Sequence, residues 1–232
     1  MNHVEPSWSQ KLGSNLIANV LITDKSHGNL SLNQPKKVLH ERQRDLVDAP
    51  WSYLQQVHGS LVVKIKNAGE FQGIEGDGLI TSEFETPLSV QVADCAPVAL
   101  FSTEGILAIA HAGWKGLASG IIDNACSNIN DLGAAPSIAI VGPCIYPANY
   151  EFSIEDLEFL QHTFGMSIRS ETQSGQLSLD LPEMVRISLN RNGIDEIIFL
   201  GGCTADSPRF WSHRASKDPE RQAMVAWIES LS

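Results

Sequence analysis

Residues 88–116 read LSVQVADCAPVALFSTEGILAIAHAGWKG. Three apolar runs, Leu88–Val92, Val98–Phe101 and Ile106–Ala110, are separated by Asp, Pro, Thr, Glu and Gly, residues that break regular structure. Short apolar runs bounded in this way read as buried strands. The period then changes. From Gly113 to Asn130, the residues Leu117, Ile121, Ile122, Ala125 and Ile129 fall at helical spacing, and Gly133 follows as a stop, which predicts one continuous helix. Strands and helices interleave without strict βαβ regularity, so the class reads as α+β or mixed α/β.

The surrounding chain fits that frame. Upstream, Leu16–Thr23 and Leu79–Thr81 read as strands, and Leu61, Val63 and Ile65 alternate as a half-buried strand does. A loop from Thr23 to Pro35 leads into a helix over Lys36–Val47, with Pro35 in its first turn and Asn33 or Gln34 near the cap. Downstream, Ile138–Val141 and Ile197–Leu200 are strands. Ile154–Thr163 and Pro182–Asn192 are helices, the second capped by Asp180 and ended by Gly193. Arg221–Ile228 is read as a last strand of ambiguous period. No low-complexity linker, repeat or charge block divides the chain, so residues 1–232 read as one domain with mixed sheets.

Composition narrows the partners. The chain has 232 residues, 43% hydrophobic and 19% charged, with a formal net charge of −11. That is enough apolar material for a sizeable core, and the acidic balance repels nucleic-acid polymers. A small phosphorylated ligand stays open, since a local basic pocket overrides the global sign. No apolar run approaches the roughly 20 residues of a membrane span. The stretch Met1–Ser14 lacks the apolar core of a signal peptide. The expectation is a cytoplasmic protein with no membrane partner, in which Cys95, Cys126, Cys144 and Cys203 are thiols or metal ligands.

Reactive side chains gather where strands end. Gln55-Gln56-Val57-His58-Gly59, Ala93-Asp94-Cys95-Ala96-Pro97 and Ala110-His111-Ala112-Gly113-Trp114-Lys115-Gly116 each place one on a turn at a sheet rim. Two imidazoles and a thiolate, His58, Cys95 and His111, suit zinc, and three protein ligands leave a coordination position open. The ligands lie far apart in sequence, and on spacing alone the plainer account outweighs the metal: two hydrogen-bonded histidines and a small buried thiol. A third account makes Cys95 a nucleophile with His58 or His111 as its base.

Other residues add to the picture. Gly113-Trp114-Lys115-Gly116 opens the expected long helix, where free N–H groups, the positive helix end and Lys115 favour an anion. A tight turn with a solvated lysine fits the same residues equally. Arg209, His213 and Arg214 stand out as cations able to hold phosphate or carboxylate, with Arg209 equally suited to pair with Asp206 or Asp218. Asp77 reads as a turn aspartate or an active-site acid, and Cys144 as a structural thiol. His3, His27, His40 and His162 read as surface residues.

Taken in order, QVHG, GDGLIT, ADCAPVAL, AHAGWKG, GPCI, YEF, LDL, CT and FWSHR run from residue 55 to 214. This series resembles the YfiH/laccase-domain family, also called multicopper polyphenol oxidase-like or purine nucleoside phosphorylase family. The resemblance implies that His58, Cys95 and His111 are zinc ligands, with copper as the alternative ion, and overturns the plainer account. It implies an α/β sandwich like that of cytotoxic necrotizing factor. Lys115, Cys144, His213 and Glu41-Arg42 depart from the usual Arg, Ser, Tyr and Asn-Arg.

The family's described activities are phosphorolysis of adenosine, inosine, guanosine and methylthioadenosine, adenosine deamination, laccase chemistry and editing of mis-made peptidoglycan precursors. Multicopper chemistry needs many histidine ligands, and this chain has 7 histidines. The expectation is therefore a zinc-dependent purine nucleoside phosphorylase with adenosine deaminase activity besides. Cys95, Asp94 and Lys115 are its candidate catalytic residues, and Gly113, Lys115 and Arg214 would bind phosphate or substrate. A precursor-editing hydrolase, a copper-dependent laccase-like polyphenol oxidase, a cysteine hydrolase using Cys95 and a structural zinc protein with Cys144 or Cys203 as fourth ligand are the alternatives.

Overall fold

The computed structural model describes residues 4–231, so that His3 lies outside them. Its elements are β1 (Trp8–Leu12), β2 (Leu16–Ile22), α1 (Lys36–Leu46), β3 (Val62–Ile65), β4 (Gly78–Thr81), β5 (Leu88–Val92), β6 (Ala96–Ser102), β7 (Leu107–Ala112), α2 (Trp114–Ala118) and α3 (Ile121–Asp131). They continue with β8 (Pro136–Val141), α4 (Ile154–Phe164), β9 (Arg169–Glu171), β10 (Leu177–Leu179), α5 (Leu181–Arg191), β11 (Glu196–Phe199), α6 (His213–Ser216) and β12 (Gln222–Ser230).

Two sheets carry the molecule. One runs β1-β2-β12-β5 and the other β11-β8-β6-β7-β4-β3. The first is antiparallel throughout. The second is antiparallel at its centre, with parallel pairs at both edges, β3 with β4 and β11 with β8.

Alternation along each strand decides which side chain enters which layer. Ala99, Phe101, Leu107 and Ile109 point from the six-stranded sheet toward Val20, Leu88, Val90 and Met224 of the other. Their neighbours Val98, Leu100, Ala108 and Ala110 point the opposite way, against α3, α4 and α5. On the outer face of the four-stranded sheet, Leu21, Val225 and Trp227 pack with Leu39 and Leu46 of α1 and with Trp51. The order is helix, sheet, sheet, helices. Strands covered on both faces carry no polar alternation, which is why β6 is buried at every residue and why the period of β12 is ambiguous in sequence.

Several expectations are corrected. The single helix over Gly113–Asn130 is two, broken at Gly120, whose φ of 83° is left-handed and cannot continue a right-handed helix. Pro35 is the cap residue of α1 rather than a member of its first turn, and no side chain caps that helix. Asp180 does cap α5, accepting from the Glu183 N–H at 2.9 Å. β1, the hairpin β9–β10 and the one-turn α6 have no counterpart in the sequence reading.

Candidate metal centre

The chain crosses from one sheet to the other between β5 and β6, and Ala93, Asp94 and Cys95 form that crossing. Across β6 and β7 the register pairs Pro97 with His111 and Ala96 with Ala112, so Cys95 stands just beyond the strand end beside His111. His58 arrives on the loop before β3. Its φ of 61° and the φ of 101° at Asp94 are positive, strained values for residues with side chains. Strain of this kind persists only where surrounding contacts over-determine it.

For His58 that determinant is Asp77. Its carboxylate accepts the N–H groups of Val57 at 3.2 Å, His58 at 2.9 Å and Gly59 at 2.7 Å. The same carboxylate meets His111 Nδ1 at 2.9 Å. One buried side chain thus holds the loop of one ligand and the ring of another, turning His111 Nε2 toward the site. Burial works against the Asp77 charge, but hydrogen bonds from His111 and the backbone hold its carboxyl below the usual range.

The ligand atoms of His58, Cys95 and His111 lie within 4.8 Å of one another, and the two imidazole rings stand 4.8 Å apart at 71°. Burial acts to raise the Cys95 thiol, yet the charges and hydrogen bonds of His111 and His58 bring it down to about 6. Burial acts to lower His111, and the Cys95 thiolate and Asp77 carboxylate lift it. A thiolate among imidazoles is the N2S donor set that zinc takes.

The approach of the three depends on glycine. A Cβ at Gly113 would sit 2.8 Å from Cys95 Sγ and 3.2 Å from a His58 ring carbon, and one at Gly116 would sit 3.0 Å from the Gly59 carbonyl. No fourth His, Cys, Asp or Glu joins this group among the described residues, so neither Cys144 nor Cys203 completes it. The donor set fits a metal with one side open.

That side faces a cavity of about 540 Å³. Gln55, Gln56, Asp94, Tyr150, Arg214 and Arg221 contribute to its wall with the three ligand residues. Gln56 is locked to β5, donating to the Gln91 carbonyl at 2.7 Å and accepting its N–H at 2.8 Å. The Arg214 guanidinium lies 4.7 Å from the Tyr150 ring centre and donates to the Glu151 carbonyl. Arg221 is braced by the carbonyls of Asp218 and Glu220. Neither arginine pairs with a carboxylate among the described residues.

The expected anion cradle is rearranged. Gly113 and Lys115 do not line the cavity. The helix they open, α2, is a single short turn, and exposed Lys115 lies over the Trp114 ring at 5.4 Å. The glycines of this motif instead let α2 approach the His58 loop. Asp94 lines the cavity, but its carboxylate accepts from Thr204 Oγ1 at 2.7 Å, Ser212 Oγ at 2.7 Å and the Arg214 N–H at 2.6 Å. It ties the Cys95 turn to the segment carrying Arg214. Arg209 pairs with Asp24 at 2.8 Å rather than with Asp206 or Asp218. Arg221 lies in none of the ordered motifs and Tyr150 only opens YEF; the closed fold alone brings them to the candidate ligands.

Comparison with known proteins follows the same lines. The family described as "Multi-copper polyphenol oxidoreductase laccase" matches residues 26–229. A protein named purine nucleoside phosphorylase from Rickettsia conorii is 34% identical over 188 residues, covering 75% of this chain and 76% of its own length. A protein of the same name from Pseudomonas aeruginosa is 28% identical over 206 residues, covering 85% and 83%. Among solved structures, YlmD from Geobacillus stearothermophilus superposes with a TM-score of 0.78 at 25% identity, over 97% of this chain and 99% of that one. YfiH of Bacillus licheniformis superposes with a TM-score of 0.81 at 22% identity, over 96% and 98%. The fold is theirs.

Proposed function

The chain belongs to the multi-copper polyphenol oxidoreductase laccase family, and from that premise we propose that it is a zinc-dependent purine nucleoside phosphorylase. The observation that carries the reading is the three-ligand His58–Cys95–His111 group opening on a cavity that also holds two arginines without carboxylate partners. Support for the substrate class comes from relatives about a third identical that bear the name purine nucleoside phosphorylase. Despite the family's title, the donor set argues against multicopper work. That chemistry needs several coppers and many histidine ligands, and among the described residues only His58 and His111 gather with a third ligand.

Bound by His58, Cys95 and His111, zinc would supply a Lewis acid at the cavity floor. The chain's own residues do the rest. Arg214 and Arg221 hold phosphate through charge-assisted hydrogen bonds, and the carbonyls that brace them keep both guanidinium groups in place. Asp94 fixes the spacing between the Cys95 turn and Arg214, while Gln56 and Tyr150 close the walls and exclude water. Hydrogen phosphate then adds at the ribose carbon as its bond to the purine breaks, and the proton that the phosphate gives up goes to the leaving purine nitrogen. Adenosine deamination, on adenosine without phosphate, is the additional activity proposed.

Zinc-loaded protein given adenosine and phosphate is expected to release adenine and ribose 1-phosphate. No release from a sample with stoichiometric zinc overturns the reading.

A second reading has one observation in its favour. Cys95, His111 and Asp77 line up as thiol, imidazole and orienting carboxylate, the arrangement of a cysteine hydrolase. Chelation separates the two, since a thiol nucleophile keeps its activity without metal and the phosphorylase loses it.

A further inference from the structure

Beside the metal ligands lies a second pair of thiols with no part in the proposed reaction. Cys144 follows β8 and Cys203 follows β11, and the two strands are parallel neighbours. Beyond the strand ends the pairing resumes for one step, as a parallel bridge between Cys144 and Cys203. The backbone seals it, with the Cys144 N–H donating to the Gly202 carbonyl at 3.3 Å and the Thr204 N–H to the Cys144 carbonyl at 3.0 Å. Residues bridged across adjacent strands project on the same face, with backbones roughly 4.8 Å apart. That lies inside the range of about 4.4–6.8 Å between the Cα atoms of a disulfide.

The two sulfurs differ in access. Cys144 is fully buried, while Cys203 is partly exposed. The Asn149 side-chain amide donates toward Cys203 Sγ at 3.8 Å.

We propose that Cys203 and Cys144 form a redox-active dithiol, oxidised by peroxides to a reversible disulfide. The Cys203 sulfur, giving up its proton, attacks a peroxide oxygen, the O–O bond breaks, and the sulfur becomes a sulfenic acid while the hydroxide or alkoxide that leaves takes up the thiol's proton as water or an alcohol. The Cys144 thiol then attacks that sulfur. The S–S bond forms, the S–O bond breaks, and hydroxide departs with the Cys144 proton as a second water. Two thiols are oxidised by two electrons and one peroxide is reduced.

Position gives the pair a reach beyond itself. Ile145, next to Cys144, donates its N–H to the Asp94 carbonyl at 2.8 Å. Thr204, next to Cys203, donates its hydroxyl to the Asp94 carboxylate. The disulfide therefore closes one residue away from two of the ties that hold the Cys95 turn.

The test treats the full chain with hydrogen peroxide, blocks remaining thiols, and digests without reduction. Trypsin with an aspartate-directed protease cuts at Asp131 and so separates Cys126 from Cys144. The expected result is a peptide linking Cys144 to Cys203, an intact mass lower by two hydrogens, and reversal by dithiothreitol. Cys203→Ser should keep the circular dichroism and Tm of the parent and lose the linked peptide. A linkage through Cys95 or Cys126, sulfinic acid at Cys203 without a link, no linked peptide after peroxide, or the same mass loss in Cys203→Ser would each overturn the proposal.

Discussion

A single carboxylate decides how two of the three candidate ligands meet. Asp77 holds the His58 loop by three N–H groups and the His111 ring by one. Removing an orienting partner of a metal-bound histidine typically costs about 10- to 100-fold in affinity. Asp77→Ala is expected to fall at the upper end, because it also frees the loop; competition with a chromophoric chelator measures it, and unchanged affinity would contradict this role. At the same scale, Asp24 pairs with Arg209, and neither belongs to the candidate ligand group. Burial opposes its charge, yet Ser26 and Arg209 hold its carboxyl at about 2 against an ordinary 3.8. A depressed carboxyl stabilises the fold above its unfolded pKa and loses that contribution as pH falls toward its folded one. The stability gap between the parent and Asp24→Asn should therefore be about 1–2 kcal/mol at neutral pH and close between about pH 4 and pH 2. Denaturant titrations at several pH values check it, and a gap that widens on acidification would refute the assignment.

Elements show where sequence suffices and where it does not. β5 coincides with the apolar run Leu88–Val92, and the helices at 36–46 and 181–191 follow their apolar period and stops, because each is set by local pattern. The break at Gly120 is less legible, since one glycine inside a helical pattern is compatible with a continuous helix. Gly120→Ala forces a side chain into the left-handed region and should cost about 1–2 kcal/mol, lowering Tm by roughly 2–8 °C in calorimetry. An unchanged Tm would show that α2 and α3 tolerate joining. β1 is hidden because only Trp8 and Leu12 of its five residues are apolar, and β9 and β10 by their length of three residues each. The candidate site divides in the same way. The ordered motifs pick out His58, Cys95 and His111, but Asp77 as their organiser and Arg221 as a wall of the cavity follow only from contacts distant in sequence.

The whole molecule rests on β12. It lies between β2 and β5 and contributes to both faces of its sheet, with Met224, Ala226 and Ile228 in the core between the sheets and Val225 and Trp227 against α1. Ending the chain at Glu220 uncovers both cores and leaves β2 and β5 without their shared neighbour. Such a protein is expected to be insoluble or to lack a cooperative thermal transition, and a cooperative melt would refute the claim. The strand order has a consequence in time as well as in space. Cys95 hangs from β5, and β5 finds its partner only in residues 222–230. While the ribosome is still extending the chain, the four-stranded sheet lacks its middle, and the turn bearing Cys95 is held through β6 but not yet through β5. Pairing so distant in sequence is slow to form, so the β5 side of the turn bearing Cys95 is the last part of the candidate site to be fixed.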